Sequence, residues 1–239
     1  MPGSYLNPMI QAHLKFNLVY GLVVILVLVA GFEKWTLLSD FAIPAVTVLL
    51  LLFLSTATKL KGRFHKRLFT GLIFALLGNL LIQLKGSQPY LFYGMAALLI
   101  CQLFYVSAFY LDFRSAQELD KKGARIAILS GAAGAITFYF YLRPHLGIYR
   151  LPVMAYIFIV ALLAMMAVFR NQRVNTLSFN LVFSGVLFFI LSNFLLAYTY
   201  FIGSFQFADL FTVSAYMIAQ YLIVLGGIKR QLLHNGPAN

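Results

Sequence analysis

The sequence predicts an all-α, polytopic membrane bundle of eight transmembrane helices, and three observations carry that expectation. Its 239 residues are 62% hydrophobic and only 10% charged, too little polar surface to cover a water-soluble globule of that size. The apolar residues gather in eight blocks long enough, or nearly so, to cross a hydrocarbon layer about 30 Å thick at roughly 1.5 Å per helical residue. None of the blocks alternates like a barrel strand, and every backbone group in lipid must be bonded internally, so helices are the reading left.

Taken in order, the first span is Phe16 to Phe32. It ends in Gly-Phe-Glu-Lys rather than in a small-residue cleavage site, which marks an uncleaved first span rather than a secretory signal. The second, Phe41 to Thr58, carries Pro44 near its start, and the third runs from Leu68 to Leu84. The fourth, Pro89 to Leu111, holds Cys101, the single cysteine of the chain; no intrachain disulfide can form. Ile126 to Leu142 is the fifth span and Leu151 to Phe169, with Pro152, the sixth. Leu177 to Phe201 and Asp209 to Ile228 complete the set. Connections this short leave no room for a soluble domain and make successive spans antiparallel neighbours within one integral-membrane domain, residues 1–239. The long connection from Asp112 to Arg125 mixes Asp112, Glu118 and Asp120 with basic residues and reads as a solvated loop.

The formal charge of +12 is distributed unevenly. Lys15, Lys59, Lys61, Arg63, Lys66, Arg67, Arg114, Lys121, Lys122, Arg125, Arg170, Arg173, Lys229 and Arg230 fall on one side of the expected topology. The other side holds only Lys34, Lys85, Arg143 and Arg150. The positive-inside rule therefore places both termini in the cytoplasm of a multi-pass plasma-membrane protein, and an even number of spans agrees. These cations adjoin spans and suit anionic lipid head groups. With no aromatic stacking platform between them, nucleic acid is not a partner. The histidines His13, His65, His145 and His234 lie in connections or tails without metal-ligand spacing, so neither a metal nor a cofactor is expected.

Spans 3 and 7 share a word. Gly71-x-x-Phe74-x-x-x-Gly78-Asn79-x-Leu81 matches Gly185-x-x-Phe188-x-x-x-Ser192-Asn193-x-Leu195, and each preceding span has a proline near its outer start. An offset of four spans preserves orientation, so the word reads as a parallel duplication of a four-helix unit, with chance likeness of two Leu/Phe-rich helices as the competing reading.

Deep inside the spans the strongly polar side chains are Asn79, Gln102, Asn193 and Gln220. Counted from each span's centre, Asn79 and Asn193 lie roughly 4 to 5 Å toward the outer side, and Gln102 and Gln220 within about 2 Å of the midplane. Tyr105 and Tyr216 stand one helical turn from the glutamines, on the same face. Such amides serve as interhelical glue or line a shared polar cavity. The chain has no nucleophile elbow, Cys-His pair, phosphate loop or zinc signature, and no ionisable residue in mid-membrane.

In order and spacing the chain resembles the YhhN-like lysoplasmalogenase family of eight-span membrane proteins. "GLIFALLGNLLI" stands where that family has Gly-Asp in span 3. Gly94, Leu98, Gln102 and Tyr105 match a family helix with Gly, an aromatic, His and Tyr. Leu151-Pro152-Val153 with Tyr156, the run from Gly185 to Ala197, and "YMIAQYLI" from Tyr216 to Ile223 follow in family order. The resemblance implies hydrolysis of the vinyl-ether bond of lysoplasmalogens, with two aspartates supplying acid and base. Here both aspartate positions are asparagine, Asn79 and Asn193, and the span 4 histidine is Gln102. Each exchange keeps hydrogen-bonding capacity and removes the ionisable proton.

The expectation is therefore a family member with a polar, mid-membrane lipid pocket and lost or altered hydrolysis. Asn79 and Asn193 mark the former catalytic positions, while Gln102, Tyr105, Tyr216 and Gln220 bind the substrate-like lipid. Its partner is a membrane lipid, with a lysophospholipid as candidate; the sequence sets no oligomeric state. An active lysoplasmalogenase or related lipid hydrolase, a non-catalytic lipid carrier or sensor, and a plain structural bundle are the alternatives.

Overall fold

A computed structural model describes residues 14–33, 35–83, 88–116 and 121–233. His13, Lys34, Leu84, Lys85, Glu118, Asp120 and His234, named above, lie outside the described residues. Among the described residues eight α-helices follow one another: α1 (Leu14–Phe32), α2 (Thr36–Thr58), α3 (Gly62–Gln83), α4 (Gln88–Phe113), α5 (Lys121–Leu142), α6 (Arg150–Val168), α7 (Thr176–Phe201) and α8 (Ala208–Ile228). Two 3₁₀ turns, Arg143–His145 and Gly147–Tyr149, join α5 to α6. Six helices, α3 to α8, contain stretches long and apolar enough to cross a membrane, and α1 and α2 contribute the shorter apolar stretches Phe16–Phe32 and Ile43–Thr58. The observed helices extend past several expected spans. α3 begins at Gly62 rather than Leu68 because Arg63, Lys66 and Arg67 are sound helix formers that continue the helix beyond its apolar stretch.

The outward faces are as apolar as the interior. Leu22, Leu129, Leu151 and Phe158 are all well exposed, a surface that water would not tolerate and lipid would. Inside, α8 is the most buried helix, packed against α7, α2, α1 and α3, and α4 lies between α3 and α6. Tyr20 of α1 donates a hydrogen bond to the Met217 carbonyl of α8 at 2.8 Å and stacks on Tyr221. α5 is peripheral and rests chiefly on α6.

The two closest pairings are α3 with α4 and α7 with α8, and small residues explain both. A Cβ at Gly71 would stand 2.5 Å from Tyr105 Cε1 and 3.2 Å from the Cys101 carbonyl oxygen. At Gly185 it would stand 2.9 Å from Ile223 Cγ1 and 3.0 Å from the Ala219 carbonyl oxygen. Gly185→Leu is accordingly expected to force the α7–α8 pair apart and cost about 1–3 kcal/mol. The check is the thermal unfolding midpoint in detergent, with Gly21→Leu as the control, since a Cβ there meets nothing within 4 Å.

Candidate functional site

Each of the four intramembrane amides is at least nine-tenths buried except Asn193, which is half-buried. Asn79 on α3 donates from Nδ2 to the Tyr216 hydroxyl of α8 at 2.9 Å and, more weakly, to Thr47 Oγ1 of α2 at 3.4 Å. One turn along α8, the Gln220 amide also lies against the Tyr216 hydroxyl. Tyr105 of α4 donates to Gln220 Oε1 at 2.6 Å. Thr47, Asn79, Tyr216, Gln220 and Tyr105 therefore form one buried polar chain across α2, α3, α8 and α4. The glutamine and tyrosine of one helix do not serve each other alone; they reach across to the partner hairpin.

Asn193 belongs to a second group. Its Oδ1 accepts from the Tyr156 hydroxyl of α6 at 2.7 Å, and its Nδ2 donates to the Phe189 carbonyl one turn earlier on α7 at 2.7 Å. Gln102 of α4 approaches the same Tyr156 hydroxyl, but neither of its polar atoms meets a partner in hydrogen-bonding geometry, although the side chain is fully buried. Gln220 Nε2 is likewise unpartnered. Tyr105→Phe would strand Gln220 Oε1 beside that Nε2, at a cost of about 1–3 kcal/mol; the unfolding midpoint of the variant in detergent measures it.

Beside the second group opens a cavity of about 930 Å³ between α5, α6 and α7, closed on one side by Ile82, Met95 and Leu98. It arises because α5 carries small residues, Gly131, Ala133, Gly134 and Ala135, on the face toward α6 and α7. Its length follows the bundle, from Ala127, Val168 and Phe183 at one end to Leu142, Val153 and Phe201 at the other. Nearly every lining side chain is apolar. Tyr156 and Asn193 are the hydrogen-bonded polar pair on its wall, and no Asp, Glu, Lys, Arg or His among the described residues lines it. Its volume is that of a ligand pocket.

Of the six residues expected to form the site, only Asn193 thus lines the cavity. Asn79, Tyr105, Tyr216 and Gln220 sit behind it in the hydrogen-bonded chain, and Gln102 stands between the two groups. Tyr156 had a signal, its place in the Leu-Pro-Val helix, yet its pairing with Asn193 could not be read from spacing. Thr47 looked like any threonine within a span.

Against this geometry stands one positive comparison: the sequence model of the YhhN family matches residues 39–227. The chain belongs to the YhhN family. The match covers the cavity and both polar groups, from within α2 almost to the end of α8, and leaves α1 outside. No curated protein and no solved structure matches the chain.

This YhhN chain also contains a charged cluster that the sequence concealed. Asp112, expected in a solvated loop, ends α4 fully buried. Its Oδ2 accepts from Arg170 Nε at 2.7 Å and its Oδ1 from Arg230 at 2.6 Å. Arg170, also fully buried, donates to Ser178 Oγ at 2.9 Å and lies over the rings of Phe109 and Phe64, while Arg230 covers Phe64 from 4.4 Å. Burial pushes the Arg170 guanidinium below its ordinary range, and Asp112 opposes that shift. Planar guanidinium groups can stack on rings and pair with a carboxylate at once, which an ammonium cannot. The segment after α8 is pinned as well: Asn175 N donates to the Gln231 carbonyl at 2.9 Å, and Leu233 N to the Arg173 carbonyl at 3.0 Å. The α6–α7 connection, the end of α4 and the segment after α8 are thereby fastened together.

Proposed function

We propose that this YhhN protein holds a single-chain membrane lipid in the α5–α6–α7 cavity and does not hydrolyse a vinyl ether by the two-carboxylate route. One observation carries the reading: the asparagine at a family aspartate position, Asn193, lies on the wall of a chain-shaped apolar cavity, paired with Tyr156. An apolar cleft running along the bundle suits a hydrocarbon tail. Both asparagines are already committed to hydrogen bonds, and neither amide can give or take a catalytic proton.

The rest of the reading is topological. The protein crosses the plasma membrane eight times with both termini in the cytoplasm, which the one-sided basic residues support. It descends from a duplicated four-helix unit, and the packing register supports that beyond the shared word. Gly71 meets Cys101 and Tyr105, Gly185 meets Ala219 and Ile223, and the residue after each contacted carbonyl is a glutamine, Gln102 or Gln220. A charge cluster at the basic end leaves enough exposed cations, Lys61, Arg63, Lys121 and Lys122, to face anionic head groups.

Lipid occupancy is tested by native mass spectrometry of the purified protein with single-chain lipids, compared with Gly134→Trp. A Cβ at Gly134 has open space around it and the residue lines the cavity, so the variant folds and fills the cleft. Lipid binding is expected to fall more than about tenfold. Unchanged binding would place the lipid elsewhere on the protein.

A further inference from the structure

The cavity wall carries no charged side chain among the described residues, its polar pair included, and that constrains the head group it can accept. Tyr156 and Asn193 supply a hydroxyl and an amide at the wall. Gln102, with no exposed surface and no place on the wall, lies against the Tyr156 hydroxyl from within the bundle. At the wall the Tyr156 hydroxyl oxygen can still accept and the second Asn193 Nδ2 hydrogen can still donate, which suits a group that can donate and accept together. A hydroxyl does so. A phosphate does not donate when ionised, and it requires a cation. The nearest cationic side chains on that half of the bundle, Arg143 and Arg150, are exposed at the outer ends of α5 and α6. Asn193 lies about 12 Å inward from the Phe201 end of α7, at roughly 1.5 Å per residue.

A phosphate brought to Asn193 would be buried without a counter-charge, which is among the costliest arrangements in a low-dielectric interior. We infer that the pocket selects a single-chain glycerol lipid without phosphate, a monoacyl- or monoalkyl-glycerol, whose hydroxyls meet Tyr156 and Asn193 at the wall while its tail fills the cavity. This rests on the lipid-pocket reading above and narrows it to an uncharged head.

The probes are 1-oleoylglycerol and 1-oleoyl-lysophosphatidic acid, which share a chain and a glycerol and differ in phosphate alone, each titrated onto the full-length protein in detergent and read by native mass spectrometry. The glycerol lipid is expected to bind at least about tenfold more tightly. Asn193→Leu, which takes the amide off the wall, is expected to erase that preference and leave tail-driven binding of both probes intact. Tyr156→Phe is expected to reduce the preference in the same direction. Equal or tighter binding of the lysophospholipid overturns the uncharged-head assignment and leaves the lipid pocket standing. A preference that survives Asn193→Leu undiminished overturns it too. Binding of neither probe removes the pocket itself, and this inference with it.

Discussion

Asp112→Asn is expected to destabilise the protein by about 3–5 kcal/mol, the usual cost of deleting one partner of a buried ion pair. The carboxylate faces two guanidinium groups, one wholly buried and the other mostly so. Without its charge Arg170 and Arg230 repel each other, and Arg170 cannot reach water without dismantling its stacks on Phe64 and Phe109. Arg230 leads into the segment bonded to the α6–α7 connection through Asn175 and Arg173, so the variant should also expose the chain after Lys229 to trypsin. The pair of measurements is a detergent unfolding curve and a limited-proteolysis time course. An unfolding midpoint and cleavage rate unchanged from the parent would show that the cluster holds nothing together. Arg230→Met is expected to cost less, because Arg170 and Asp112 keep each other neutralised.

The second large effect concerns rate. Hydrolysis of an enol ether needs a proton delivered to carbon and a water activated, and each positioned acid or base contributes about 10²- to 10⁴-fold. The cavity wall offers a phenol hydrogen-bonded to an amide oxygen, and the residues behind it are amides, hydroxyls and a thiol. Restoring carboxyl groups should act unequally at the two sites. Asn193→Asp puts a carboxyl on the wall, where a bound lipid can reach it. Asn79→Asp puts one behind Tyr216, in place of the amide that donates to Tyr216 and Thr47, where an ionised carboxylate would instead accept from those two hydroxyls. Asn79→Asp alone is therefore expected to give no turnover, and any gain requires Asn193→Asp.

The helices were legible because hydrocarbon leaves the backbone so little choice: eight apolar blocks became eight helices, with boundaries shifted by the polar first turn of α3 and the longer ends of α4. The amides stood out because polar side chains are rare inside such blocks. Who bonds whom was hidden, since Tyr105 finds Gln220 and Tyr156 finds Asn193 only through the packing of helices distant in sequence. Asp112 misled for a related reason. At the end of a span, beside basic residues, an acid looks solvated; its burial depends on Arg170 and Arg230 arriving from two other chain segments. The cavity was invisible too, being a gap left by small residues on α5 rather than a motif.

The central claim, a family pocket without the family's acids, is tested most directly by aldehyde release from a purified lysoplasmalogen. The unaltered protein is expected to release none above the rate without protein, while Asn79→Asp combined with Asn193→Asp is expected to release it measurably if the pocket has kept its shape. Aldehyde formed by the unaltered protein at a rate that Asn193→Leu abolishes would contradict the account.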